Sequence, residues 1–94
     1  ALSLVAADGD DVLGFGSLII YQRLRGGKTA LLEDIVADRS CRRLGVGSMI
    51  VSKLLAHARG QGCFKVILEA NEESEPFYTT FGFERGGSIM KLAL

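Results

Sequence analysis

The chain has 94 residues, one domain's length, and its single proline and twelve glycines argue against a disordered or proline-rich segment. Hydrophobic residues make up 48% and charged residues 23%, the balance of an ordinary globular chain. Eleven basic and eleven acidic side chains cancel, which excludes the basic excess of a nucleic-acid binder, and no apolar run approaches the ~20 residues of a membrane span.

Residues 2–7 (LSLVAA) alternate weakly and predict a first strand, ending at Asp8-Gly9-Asp10-Asp11, where the Asp-Gly step signals a hairpin. Val12 to Tyr21 is apolar on both parities and predicts a strand covered on both faces. Gly14 and Gly16 within it predict close packing or a bulge. After the turn Arg25-Gly26-Gly27-Lys28, Thr29 to Ala37 predicts a third strand with two acids, Glu33 and Asp34, at its middle. Carboxylates in a buried strand are costly unless paired or functional.

Asp38 to Leu44 reads as a polar loop rich in arginine. From Val46 to Arg59 the period becomes helical, with Ile50, Val51, Leu54, Leu55 and Ala58 on one face. Gly60 and Gly62 supply the stop. Cys63 to Ala70 predicts a strand, and Ser74 to Phe81 a short helix with Ser74 as cap and Glu75 and Pro76 in its first turn. Phe83 to Leu94 predicts a last strand interrupted at Gly86-Gly87. The order β-β-β-α-β-α-β, with two early hairpins and one right-handed helical crossover, predicts an α/β domain with a mixed, mostly antiparallel sheet flanked by helices.

A domain this short buries about 60–65% of its unfolded surface. Together with a first residue that is Ala1, this predicts a partial chain or a partner subunit. Cys41 and Cys63 are not at metal spacing and read as reduced thiols of a cytoplasmic protein, with no metal site.

The sharpest motif is Arg42-Arg43-Leu44-Gly45-Val46-Gly47, which runs straight into the helix. Free N–H groups at a helix start bind anions, and glycines let a phosphate approach the backbone. The alternative is an ordinary loop whose glycines serve the turn. A Walker A string is absent. The dinucleotide fingerprint fails too, because Ile50 replaces its third glycine and seven residues separate the strand from Gly45.

This loop, between a strand and a helix, resembles the acetyl-CoA pyrophosphate loop, Q/R-x-x-G-x-G/A, of the GCN5-related N-acetyltransferase (GNAT) superfamily. Phe77-Tyr78-x-x-Phe81-Gly82-Phe83 is similar to the F-Y-x-x-x-G-F segment of the same family. Leu32-Glu33-Asp34-Ile35-Val36 and Gly62-Cys63-Phe64-Lys65-Val66-Ile67-Leu68-Glu69 resemble the E-D-V-V and G-C-Y-K-I-x-L-E strands of members that acetylate glucosamine 6-phosphate. The resemblance runs from about residue 12 to about residue 90. Ser74 stands where those members usually carry Asn, and Lys91 and Leu92 follow Met90 where an Arg is usual. Family members begin with a strand and two helices, and this chain aligns from their second strand.

The resemblance implies a single acetyltransferase domain over residues 1–94, its C-terminal two-thirds. It implies direct transfer from acetyl-CoA to an amino-sugar phosphate, in a cytoplasmic homodimer with no nucleic-acid or membrane partner. Tyr78 is the implied proton donor to the CoA thiolate. The implied cofactor contacts are Ile35, Val36, Arg42, Arg43, Leu44, Gly45, Val46, Gly47, Ser48, Ser74, Phe77 and Tyr78. Glu33, Asp34, Lys65 and Glu69 are the implied acceptor contacts. Two alternatives stand beside this reading: another small amine as acceptor, or a non-catalytic acyl-CoA-binding module.

Overall fold

The computed structural model describes residues 2–38 and 45–94. The expected loop from Asp38 to Leu44 therefore lies outside the described residues, apart from Asp38 itself. Four strands, β1 (Leu2–Asp8), β2 (Asp11–Gln22), β3 (Lys28–Ala37) and β4 (Lys65–Leu68), form one sheet in the order β1-β2-β3-β4. β1 and β3 run antiparallel to β2, and β4 runs parallel to β3. Helix α1 (Val46–Gly60) makes the crossover between β3 and β4, and α2 (Glu75–Thr79) follows β4.

The β1–β2 hairpin turns at Gly9, whose φ of 61° is the left-handed backbone its Asp-Gly step favours. α1 buries Val46, Ile50, Val51, Leu54, Leu55 and Ala58, the face its period marks, with Val46 added at its first turn. It ends in a Schellman motif: Cys63 N–H donates to the Ala58 carbonyl (3.0 Å) and Gly62 N–H to that of Arg59 (3.1 Å). Gly62 supplies the required positive φ of 82°.

The core forms where α1 lies across the sheet, on Leu18, Ala30 and Leu32. Gly14 and Gly16 make that approach possible. A Cβ on Gly14 would stand 2.8 Å from both Ile50 Cδ1 and Val46 Cγ1, and one on Gly16 would stand 2.6 Å from Ile50 Cγ2. Both glycines are buried, so the expected close packing is real. The expected burial of β2 on both faces is not complete. The parity of Phe15, Ser17 and Ile19 is half-buried, because among the described residues the helix packed against β2 is α1, which takes the other face.

Three further expectations need correction. β4 spans four residues rather than the eight from Cys63 to Ala70, because it pairs only with Thr29 to Leu32. α2 spans Glu75–Thr79 rather than Ser74 to Phe81, since Gly82 takes a φ of 96° and the chain tightens into turns. Phe83 to Leu94 is not a strand, although its composition suits one. A strand needs a partner, and Gly87, at φ 94°, turns the chain out of extended geometry. Ile89, Met90, Leu92 and Leu94 are all exposed there.

Candidate active site

β3 carries the first feature that departs from regular structure. Phe15 pairs with Val36 and Ser17 with Glu33, so Gly16 alone opposes both Asp34 and Ile35. This is a β-bulge, and Asp34 takes the left-handed φ of 55° that it requires. Asp tolerates this backbone better than most residues. The bulge breaks the in-out alternation, so Glu33 and Asp34 are both exposed although adjacent. The desolvation cost expected for these acids is therefore avoided.

At the same level the sheet opens. β3 and β4 pair from Thr29↔Lys65 to Leu32↔Leu68 and no further. Glu33 to Ala37 keep β2 on one side, and among the described residues no strand pairs their other edge. Glu33 and Glu69 each follow the last paired residues, so both stand where the two strands part. A slot along a β3 edge that no strand pairs, among the described residues, suits an extended ligand that carries amides.

The start of α1 faces the end of β3. Gly45, with a φ of 73°, is the N-cap, and no side chain caps the helix there. Its carbonyl accepts from Met49 N–H at 2.9 Å, the first intrahelical bond, so the N–H groups of the preceding turn have no partner within the helix and suit an anion. A Cβ built on Gly47 would stand 3.6 Å from Phe77 Cζ and 3.9 Å from Ala37 Cβ. The end of β3, the start of α1 and α2 thus meet around Gly47.

Tyr78 lies on α2 beside this junction. Its half-buried ring meets Phe77 edge to face at 5.1 Å and Phe83 at 5.9 Å. Burial raises its phenol pKa above the ordinary value of 10.0. Tyr78 also lines an open cleft of about 1050 Å3, together with Lys65, Leu68, Glu69, Glu75 and Arg85.

The Acetyltransferase (GNAT) family description matches residues 1–83. The chain belongs to the GNAT acetyltransferase family. It is 38% identical over 85 residues to a glucosamine 6-phosphate N-acetyltransferase of Trypanosoma brucei brucei, an alignment that covers 88% of this chain and 58% of that protein. A crystal structure of a Trypanosoma brucei acetyltransferase superposes with a TM-score of 0.89 at 35% identity, over 98% of this chain and 68% of that one. The glucosamine-6-phosphate N-acetyltransferase of Arabidopsis thaliana superposes at 0.82 and 30% identity, over 87% of this chain and 57% of that one. The chain thus spans little more than half the length of these two glucosamine 6-phosphate enzymes.

Within this GNAT domain the residues singled out from the sequence divide into groups. Gly45, Gly47 and Phe77 come together with Ala37. Val36 is exposed beside them on β3, and Ser48 is exposed on α1. Ile35 and Val46 point their side chains toward the glycines of β2, so only their backbones face outward chemistry. Arg42, Arg43 and Leu44 lie outside the described residues. Lys65, Glu69 and Tyr78 share the cleft, whereas Glu33 and Asp34 do not line it. Glu69 is paired with Lys91 at 3.5 Å, and Lys65 lies over the Phe64 ring at 5.4 Å.

Ser74 does not cap α2 as expected. Its hydroxyl turns back to Asn71, accepting from that residue's N–H (3.1 Å) and donating to its carbonyl (3.2 Å). Asn71 Oδ1 in turn accepts from Ser74 N–H at 2.8 Å. Sequence reasoning missed this role of Asn71, although Asn three residues before Ser is a recognisable turn signal. It also missed the ion pair between Glu75 and Arg85, which no periodicity announces.

Proposed function

We propose that residues 1–94 belong to a single acetyltransferase domain that moves the acetyl group of acetyl-CoA onto the amine of glucosamine 6-phosphate. The observation that carries this reading is the opened sheet: the bulge at Asp34, the unpaired edge from Glu33 to Ala37, and the uncapped α1 start at Gly45 lie in sequence along one path. Acetyl-CoA supplies the activated thioester. The residues present fit it: the β3 edge offers amides to the pantetheine arm, and Gly45, Gly47 and Ser48 offer a helix start to the pyrophosphate, with the charges of Arg42 and Arg43 preceding it in the sequence. Backbone N–H groups from Glu33 to Val36 orient the carbonyl and polarise it.

The acceptor amine attacks the carbonyl carbon directly, and no enzyme nucleophile intervenes. The C–N bond forms, the C–S bond breaks, and the leaving sulfur takes the Tyr78 proton. Tyr78 recovers that proton from the amine nitrogen through solvent. A phenol whose pKa is raised by burial stays protonated at neutral pH, as a donor must. Glu33, Asp34 and Glu69 bind the sugar hydroxyls and amine, and Lys65 its phosphate. Support for the acceptor comes from the curated relatives in trypanosome and rice that carry this activity in their names.

The protein acts as a homodimer in the cytoplasm. The exposed apolar residues of 89–94 support the dimer, and the free thiol of Cys63 supports a reducing compartment.

Thiol release in the whole protein tests the activity, with isothermal titration of CoA in parallel. We expect release that depends on glucosamine 6-phosphate and exceeds that with other amines. Binding of CoA without release for any amine would make the chain an acyl-CoA-binding module instead.

A further inference from the structure

α2 is a poor platform for a residue that must be held still. It has five residues, none of them buried, and no side chain caps it. Helices this short are unstable unless something outside holds them. Ser74, the expected cap, spends its hydroxyl on Asn71. Yet Tyr78 must present its hydroxyl at one place for proton transfer.

Two rings touch Tyr78. Phe77 is its neighbour on the same helix and moves with it. Phe83 comes from beyond Gly82; its N–H reaches the Tyr78 carbonyl only at a long 3.4 Å, so the ring contact at 5.9 Å also depends on where the chain after it is held. Past Phe83 the chain has no regular structure. Arg85, two residues on, reaches back to α2: its Nε donates to Glu75 Oε1 at 2.6 Å and its second guanidinium nitrogen to Oε2 at 2.7 Å. Glu75 precedes Tyr78 by three residues, so both lie on one face of the helix, and all three line the same cleft. The pair therefore brackets the Tyr78–Phe83 contact from both ends in the chain.

The fork-to-fork geometry fixes direction as well as distance. Arg85 is 82% exposed, so the pair adds little to global stability. Its effect is local. We propose that Glu75 and Arg85 are positioning residues, a bidentate clamp that holds Phe83 against Tyr78 and so aims the Tyr78 hydroxyl. This rests on the reading of Tyr78 as proton donor.

The test uses Arg85→Ala, Glu75→Gln and Arg85→Lys in the whole protein, each also in a Tyr78→Phe background. Arg85→Ala and Glu75→Gln should lower kcat about fivefold or more, with KM for acetyl-CoA within about twofold of the parent. Arg85→Lys, which keeps the charge with one hydrogen bond, should recover part of the loss. In the Tyr78→Phe background the same changes should lower kcat no further, because the clamp acts through that hydroxyl. A kcat unchanged by Arg85→Ala, or an equal fall with and without the Tyr78 hydroxyl, overturns the clamp.

A second measurement needs no acceptor. The ring resonances of Tyr78 in tyrosine-labelled protein, assigned by their loss in Tyr78→Phe, should shift in Arg85→Ala. Unmoved resonances overturn the clamp whatever the reaction. Shifted resonances in a protein that transfers no acetyl group uphold the clamp and overturn only the acetyl-transfer reading.

Discussion

At the scale of single residues, Tyr78 and Asp34 carry the argument, and each departs from the ordinary in one measurable way. Tyr78 has a phenol pKa raised by burial. Tyr78→Phe keeps the ring contacts to Phe77 and Phe83 and removes the proton. We expect kcat to fall about 100-fold with KM for acetyl-CoA little changed, read by steady-state thiol release. The raised pKa also has a stability consequence. The folded state holds the phenol proton more tightly than the unfolded chain, so this contribution is complete below the unfolded value of about 10 and is lost as pH rises through the folded value. Between those two values wild type should therefore lose stability more steeply with pH than Tyr78→Phe, followed by circular dichroism in a denaturant series. Asp34 is exposed in left-handed backbone at the bulge. Adjacent residues of a regular strand face opposite sides, so Glu33 and Asp34 can serve one ligand only across a bulge. The backbone supplies it, but neither acid lines the cleft that holds Glu69 and Lys65.

At the scale of elements, the sharpest prediction concerns β2 under α1. A Cβ on Gly14 would meet Ile50 Cδ1, the far end of a flexible side chain, and Val46 Cγ1, each at 2.8 Å. A Cβ on Gly16 would meet Ile50 Cγ2 at 2.6 Å and Ile35 Cδ1 at 2.8 Å. Val46 Cγ1 and Ile50 Cγ2 are both bonded to the Cβ of a helical residue with one strongly preferred rotamer, and Val36 O, 3.0 Å from the Gly14 position, is backbone, so neither site yields easily. Gly14→Ala and Gly16→Ala should therefore each cost about 1–3 kcal/mol, by urea midpoint at constant m. These glycines also mark how legible the elements were. They predict close packing or a bulge in β2, and both are present: packing at Gly14 and Gly16, and the extra residue Leu13 beside Gly14, where Val12 pairs with Ala7 and Gly14 with Ala6. α1 was legible to its ends, because a 3.6-residue period and a terminal glycine act within one turn. The ends of β4 and α2 were not, since strand length depends on how far β3 runs alongside, and α2's boundary depends on Asn71 taking Ser74. The segment from Phe83 to Leu94 looked like a strand because composition records preference and not the presence of a partner. Of the site, the glycine loop and the aromatic motif were legible as local strings. The Glu75–Arg85 pair was not, because ten residues and a turn separate its members.

At the scale of the whole molecule, the sheet ends at β1 on one side and at β4 on the other. β4 is an edge strand of four residues, and among the described residues no strand pairs its outer side. Unpaired edges recruit partners unless charge or covering elements prevent it. The chain has no net charge at pH 7, so long-range repulsion does not oppose a second copy. Beyond β4, Ile89 is 59% exposed, Met90 94%, Leu92 84% and Leu94 114%, an apolar segment with no packing of its own. Leaving these side chains in water forgoes about 1.5–3 kcal/mol for each one fully buried. A second copy of the chain that covered them would recover it. We therefore expect a homodimer by light scattering, and a shift to monomer when Met90 and Leu92 are both replaced by Asp. The cleft makes this prediction functional. Lys91 lies between those two residues and pairs with Glu69 at 3.5 Å, so the apolar segment is tied to an acid proposed to hold the acceptor. Separating the copies should disturb Glu69 and leave the α1 start untouched. Met90→Asp/Leu92→Asp should raise KM for glucosamine 6-phosphate about tenfold, roughly 1.4 kcal/mol, while acetyl-CoA affinity by titration holds. A wild-type protein that is monomeric at micromolar concentration would remove the dimer. A dissociated variant with unchanged acceptor kinetics would keep the dimer and detach it from the cleft.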